Sequence, residues 1–310
     1  MLKLLNGVQR GVSTKPVRLV IYGPEGSGKT TLASQAPSPI FLGAEDGFGM
    51  LDVPRLEPRT WPALLDTIEE LTREEHPYRT IVFDSLDHLE PLLWSHVCAA
   101  EGAKSIEKVG GGFGKGYTEA LNQWRGLLAR CDAARARGLG IVCIAHAQLK
   151  TVKNPEGPDY DRYGLKINEK AAALFREWSD AVLFLRFEDV VEKESRVATK
   201  GKASGGQRVI YTERTPAYDA KNRFGMEPAL LMERDTMWST IAPSFSRGTQ
   251  TTTRADLLRA EMRALANGNE ALARRVEAAI ERHGDDLAKL EAAIESLKAT
   301  LKSMDEDRAA

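Results

Sequence analysis

Residues 17–30 read VRLVIYGPEGSGKT. The first six, Val17–Tyr22, form an apolar run of strand length, as expected for a strand buried on both faces. The next eight, Gly23-Pro24-Glu25-Gly26-Ser27-Gly28-Lys29-Thr30, fit G-x-x-x-x-G-K-[ST] in full, and a helix-like run follows. Strand, glycine loop and helix in this order let backbone N–H groups fold around a phosphate. A lysine at position 29 reaches the β- and γ-phosphates, and the Thr30 hydroxyl can ligate Mg²⁺. The residues expected to hold nucleotide are therefore Gly23, Pro24, Glu25, Gly26, Ser27, Gly28, Lys29, Thr30 and Thr31, with ATP and Mg²⁺ as cofactors.

The same unit opens a longer pattern. Apolar runs at Pro39–Leu42, Thr80–Phe83, Gly140–Ala145 and Ala181–Phe187 alternate with helical spacing over Trp61–Glu74, Asp87–Ala100 and Gly116–Arg137. This alternation predicts right-handed crossovers and an α/β fold, a mainly parallel twisted sheet flanked by helices. Two β-like runs within Asp189–Arg214, around the polar Thr199–Gln207, predict a hairpin late in the core. Beyond Thr249–Thr253, the stretches Arg254–Ala266, Glu270–Arg282 and Asp285–Ser303 predict a short helical appendage. The expected organisation is a lead over 1–16, an ATPase core over 17–248 and the appendage over 249–310.

Composition narrows the function classes. The chain has 310 residues, 42% hydrophobic and 28% charged, with a formal net charge of −1. That balance argues against a surface given over wholly to nucleic acid but leaves room for local basic loops. Cys98, Cys131 and Cys143 form no C-x-x-C pair, so neither a disulfide framework nor a zinc site is expected, and a reducing cytoplasm is the natural setting. No run approaches 18 apolar residues, and no membrane partner is expected.

Around the phosphate loop, Thr80–Phe83 ends in Asp84, placed to hold Mg²⁺ through water. Ser85 follows it where many ATPases carry the water-activating glutamate. Glu45, at the tip of the strand Pro39–Leu42, is the candidate for that role, with its neighbour Asp46 as the alternative. The strand Gly140–Ala145 ends in His146-Ala147-Gln148, and His146 and Gln148 are candidates for sensing the γ-phosphate.

Together these residues resemble the RecA-like core ATPases, the recombinases and DnaB-type replicative helicases, over roughly Val17 to Glu188. More closely, Ile144–Lys150 and Trp178-Ser179-Asp180-Ala181-Val182 resemble the phage nucleotide-binding proteins grouped as single-strand annealing proteins. That resemblance implies an ATPase of phage recombination, working in a bacterial host cytoplasm on single-stranded DNA, with a single-strand-binding protein as a further partner. The segment before Val17 is short for a pairwise recombinase, so a ring or short filament of copies is expected rather than a long filament. Tyr218–Gly225 resembles the K-x-R-x-G segment of DnaB-type motors, which implies that Lys221 and Arg223 reach a neighbouring copy's γ-phosphate and stabilise transition-state charge.

The resemblance also gives a role to GGGFGKGY, residues 110–117. It lacks the lysine-hydroxyl ending of a phosphate loop and follows a helix-like run. In RecA-like recombinases this connection is the first of two mobile DNA-holding loops, and the second corresponds here to Lys150–Gly164. Lys104, Lys108, Lys115, Lys150, Lys153 and Arg162 would neutralise phosphates, while Phe113, Tyr117, Tyr160 and Tyr163 would offer stacking faces. The expected function is ATP-dependent annealing or pairing of single strands. A DnaB-like helicase motor or loader, and a nucleotide-gated protein-interaction switch, are the alternatives.

Overall fold

The structure is a computed structural model that describes residues 15–43, 51–155, 157–192, 202–233, 236–246, 258, 261–262, 265–266, 270–284 and 286–309. Glu45 and Asp46, the lead over residues 1–14, the stretch 249–253, the tip 193–201 of the late hairpin and most of 254–266 lie outside the described residues. The chain divides into two units, Met1–Arg247 and Gly248–Ala310.

In the larger unit, β1 (Arg18–Gly23), β2 (Pro39–Leu42), β3 (Arg55–Leu56), β4 (Thr80–Phe83), β5 (Gly140–Val152) and β7 (Ala181–Glu192) lie side by side in the order β7-β1-β5-β4-β2-β3, all parallel. β8 (Lys202–Tyr211) pairs antiparallel with β7, and β10 (Ala229–Leu231) with β8, extending the sheet at one edge. β6 (Tyr160–Leu165) pairs with β5, and β9 (Lys221–Asn222) with β7, both antiparallel.

The apolar runs are continuous because both faces of the sheet are covered. Val20, Tyr22, Ile141 and Cys143 point into one cluster, against α2 (Trp61–Arg73), α3 (Leu86–Ala100), α4 (Lys115–Ala136) and α5 (Glu169–Trp178). Leu19, Ile21, Val142 and Ile144 point into the other, against α1 (Lys29–Ser34) and α6 (Met237–Ser246). α2 starts where its sequence dictates. The Thr60 hydroxyl accepts from the Ala63 N–H, and Pro62 sits in the first turn, where no intrahelical N–H is missed. In the smaller unit, α7 (Glu270–His283) and α8 (Leu287–Ala309) contribute Leu272, Val276, Ile280, Leu290 and Ile294 to a core of their own, joined by Leu258 and Met262.

Three expectations are corrected. The strand expected to stop at Ala145 runs on to Val152, so His146 and Gln148 lie within it rather than at its tip. Lys150–Gly164, expected as a mobile loop, is instead the β5–β6 hairpin, in register from Ala147 opposite Leu165 to Val152 opposite Tyr160. GGGFGKGY runs from the end of a short 3₁₀ segment, Ile106–Gly111, through a compact turn at residues 112–114 into the first residues of α4. Positive φ at Gly110, Gly111, Gly112, Phe113 and Gly114 makes the turn, and Gly116 lets α4 pack on it, since a Cβ there would lie 2.0 Å from the Ile106 carbonyl oxygen.

Candidate nucleotide-binding site

The loop Gly23–Thr30 leaves the carboxyl end of β1 with β5 and β7 on either side, the crevice where open α/β sheets bind ligands. Glycine is required at its start, because a Cβ on Gly23 would lie 2.0 Å from the Leu185 carbonyl oxygen of β7. Gly26 and Gly28 have φ of 71° and 98°, the left-handed region that turns successive N–H groups toward one side. Ser27 is buried, its hydroxyl donating to the Pro24 carbonyl at 2.8 Å.

Lys29 is only 6% exposed, and its Nζ donates to the carbonyls of Gly23 (3.1 Å) and Pro24 (2.8 Å), folded along its own loop. Thr31 follows in α1. The Thr30 hydroxyl donates to Asp84 Oδ2 at 2.9 Å. Asp84 is buried and stands at the end of β4, two strands from β1. A hydroxyl and a carboxylate in contact at the foot of a glycine loop are the donor set for a phosphate-bound Mg²⁺. The residues present therefore fit ATP·Mg²⁺. Gly43 carries the same geometry across to β2, since a Cβ there would lie 1.9 Å from the Asp84 carbonyl oxygen.

His146 lies opposite Gly23 in the β1–β5 register. Its backbone N–H donates to Asp87 Oδ1 at 3.0 Å, and its Nδ1 lies 2.8 Å from Asp87 Oδ2. Burial opposes ionisation of Asp87, but the interactions with His146, together with a hydrogen bond from Ser85, outweigh it and hold its carboxyl below the usual range. Asp87 escaped the sequence reading because the pairing crosses from α3 to β5. An aspartate in the first turn of a helix reads as an ordinary favourable end charge. His88 joins the cluster, with its Nδ1 2.8 Å from Ser85 Oγ. Potential ligand atoms of Asp87, His88 and His146 lie within 4.8 Å of one another, and hydrogen bonds account for the arrangement. Gln148 is placed elsewhere. Its Nε2 donates to the Leu165 carbonyl at 2.6 Å and to the Ile167 carbonyl at 3.3 Å, tying the hairpin to the segment that follows it.

Lys221 and Arg223 flank Asn222, which lies opposite Ala181 near the start of β7, while Lys221 lies opposite Val182 and Ala181 itself pairs with Leu19 of β1. They are therefore at the far end of the sheet from Gly23, roughly 13 Å along the strand. Lys221 caps α5. Its ammonium donates to the carbonyls of Arg176 (2.8 Å), Glu177 (2.9 Å) and Ser179 (2.6 Å), groups that a helix end leaves unsatisfied. Within the chain Lys221 thus serves the end of its own α5. Arg223 is 55% exposed and lies 3.6 Å from Asp180, which also receives Arg18 (2.8 Å) and Arg135 (3.1 Å). Burial opposes charge on Asp180, yet the arginines outweigh it and lower its pKa.

The residues expected to hold DNA fall into two groups. Lys104 and Lys108 are exposed, and Phe113 is 102% exposed at the apex of the glycine turn. Lys115 is exposed, with its ammonium on the Gly110 carbonyl at 2.9 Å. Tyr117 and Tyr163, by contrast, are half-buried. Tyr117 packs edge-on against Trp94, and Tyr163 stacks on Phe184. Lys150 pairs with Glu169, Lys153 with Asp159, and Arg162 with Asp219. Tyr160 lies beneath the Arg162 guanidinium.

A family model described as an AAA domain matches residues 15–224. No curated protein matches the chain. Among the described residues, no helix is long and apolar enough to cross a membrane.

Proposed function

From the premise that the chain belongs to the AAA domain family and carries a P-loop nucleotide-binding core, we propose that it is an ATP-dependent recombination protein of phage type. It binds single-stranded DNA, anneals or pairs strands, and hydrolyses ATP at the interface between copies. The observation that carries the DNA reading is Phe113, an aromatic ring held wholly in solvent at the apex of a glycine turn. Burying such a ring against a base gives stacking at about 1–3 kcal/mol without strong sequence preference. Lys104 and Lys108 on the same connection supply counter-charge to phosphates.

In the nucleotide site the loop N–H groups and Lys29 would bind and orient the phosphates, and Thr30 and Asp84, in contact at 2.9 Å, would hold Mg²⁺. When bound, the metal would supply positive charge against the phosphates. Glu45 is the proposed water-activating carboxylate. Arg223, at the far end of the sheet from its own phosphate loop, is the cation proposed to serve a neighbouring copy's γ-phosphate, so that turnover would depend on assembly. Lys221 holds the end of α5 beside it.

Anisotropy titrations of labelled oligo-dT, with and without ATP and at several salt concentrations, test the reading. Binding that weakens with salt is expected, and Phe113→Ala should lower affinity by about tenfold without changing thermal stability. Directional unwinding of forked DNA would point to a DnaB-type motor instead. Failure to bind any oligonucleotide would leave a nucleotide-gated interaction switch.

A further inference from the structure

The β5–β6 hairpin, α5 and the segment around 214–219 line an open cavity of about 310 Å³, and none of its lining residues belongs to the phosphate loop. Its charged lining is unbalanced. Lys150, Arg162, Arg176 and Arg214 face only two carboxylates, Glu169 and Asp219. Both acids are shared. Asp219 receives Arg162 at 3.4 Å, Arg176 at 3.2 Å and Arg214 at 3.5 Å, while Glu169 receives Lys150 at 2.7 Å and Arg176 at 3.5 Å.

The register adds a second observation. Lys150 and Arg162 stand directly opposite each other across the hairpin. Like charges so placed repel, and the two carboxylates that offset them, Glu169 and Asp219, are each shared with Arg176. Arg162 is also held ready, its side chain 14% exposed. Its Nε donates to the Pro216 carbonyl at 2.9 Å, another nitrogen donates to the Tyr160 hydroxyl at 3.0 Å, and the guanidinium lies 5.4 Å from the Tyr160 ring centroid. Fixed guanidinium groups bind tetrahedral oxyanions with little ordering cost.

We propose that this cavity binds a phosphate dianion, either free orthophosphate or a terminal phosphate monoester on a nucleic-acid strand. Two excess positive charges match a dianion, whereas a single carboxylate or an internal phosphodiester neutralises only one. The cavity is large enough for the group and the first atoms attached to it. The inference does not rest on Phe113 or on strand annealing, because its orthophosphate arm needs no DNA.

The test uses the full-length protein with its phosphate loop saturated by a non-hydrolysable ATP analogue and Mg²⁺. Calorimetric titration with orthophosphate is compared with anisotropy of oligo-dT carrying a 5′-phosphate, a 3′-phosphate or hydroxyls at both ends. Arg214→Gln, 64% exposed, is not expected to disturb folding, and it should weaken the phosphate-dependent signal by about tenfold. Asp219→Asn removes the competing carboxylate and should tighten it by a similar factor, about tenfold. A preference for either phosphorylated end assigns the site to strand ends, and orthophosphate binding without such a preference assigns it to the free anion. If neither ligand binds, or if both variants bind as the unaltered protein does, the proposal is wrong.

Discussion

Two stretches of this chain share a composition and differ in what their glycines are for. Gly23–Thr30 and Gly110–Tyr117 are both glycine-rich, and each contains a lysine that bonds to carbonyls of its own loop. In the first, Lys29 is buried and the next hydroxyl, Thr30, meets Asp84 at 2.9 Å. In the second, Lys115 is exposed, and the nearest threonine, Thr118, turns its hydroxyl back to the Gly114 carbonyl at 3.3 Å. The first loop faces inward and converges donors on one point. The second faces outward and presents a ring. Glycine and lysine alone do not make a phosphate site, and the buried carboxylate across the sheet separates the two cases.

The largest expected effect breaks the comparison at its lysine. Lys29→Ala should reduce ATP hydrolysis by about 10²–10³-fold, read by phosphate release, because it removes the one cationic residue within Gly23–Thr30. Thr118→Ala, the counterpart hydroxyl in the second loop, should leave basal hydrolysis unchanged. Gly23→Ala comes next. A Cβ 2.0 Å from a backbone oxygen cannot be relieved by a rotamer change, so a loss of about 3 kcal/mol is expected by thermal or urea unfolding.

A pH series then separates loop effects from global ones. Glu90 is buried, and burial is the main reason its pKa rises from 4.5 to about 6, while both its oxygens accept from the Asn168 N–H. Its folded pKa exceeds its unfolded value, so the folded state holds the extra proton between those values. Its contribution is fully present below about pH 4.5 and is lost as pH rises through about 6. Glu90→Gln keeps an acceptor for Asn168 and removes this loss, a gain of about 2 kcal/mol at pH 7 that should vanish near pH 4.5. It belongs to neither loop and should shift both loop variants equally. The smallest effect belongs to Gly111→Ala. Its φ is +79° but the space beside it is open, so the cost should be about 1 kcal/mol.

How much was legible follows from how local each signal was. The phosphate loop, Asp84 and the five core strands lie in contiguous runs, and the apolar stretches fall where the parallel strands are. The far half of β5 is hidden in the sequence because the stretch beyond Ala145 looks like loop, with lysines, two prolines and aspartates by residue 161. Yet Gln148, Lys150 and Val152 alternate with the more exposed Leu149 and Thr151, a two-residue period that marks a half-solvated strand. The cap that Lys221 places on α5, the clamp of Asp87 on His146 and the three arginines on Asp180 each join residues more than 40 positions apart. No period or motif within one element announces such a contact. Charge pairing of this kind becomes visible only when the strands are laid side by side.

β5 also has a mechanical meaning. It is one unbroken strand of 13 residues, clasped inside the sheet by β1 and β4 and continuing past their ends into the hairpin. A load applied at Val152 along the strand stretches the bonds to β1 and β4 together, in shear, whereas a load across it would open them one at a time. Anything that grips the hairpin and pulls lengthwise therefore pulls on the sheet in its stiff direction. The tension arrives beside Gly23, where Tyr22 also anchors the Asp219 carbonyl through its hydroxyl at 2.6 Å.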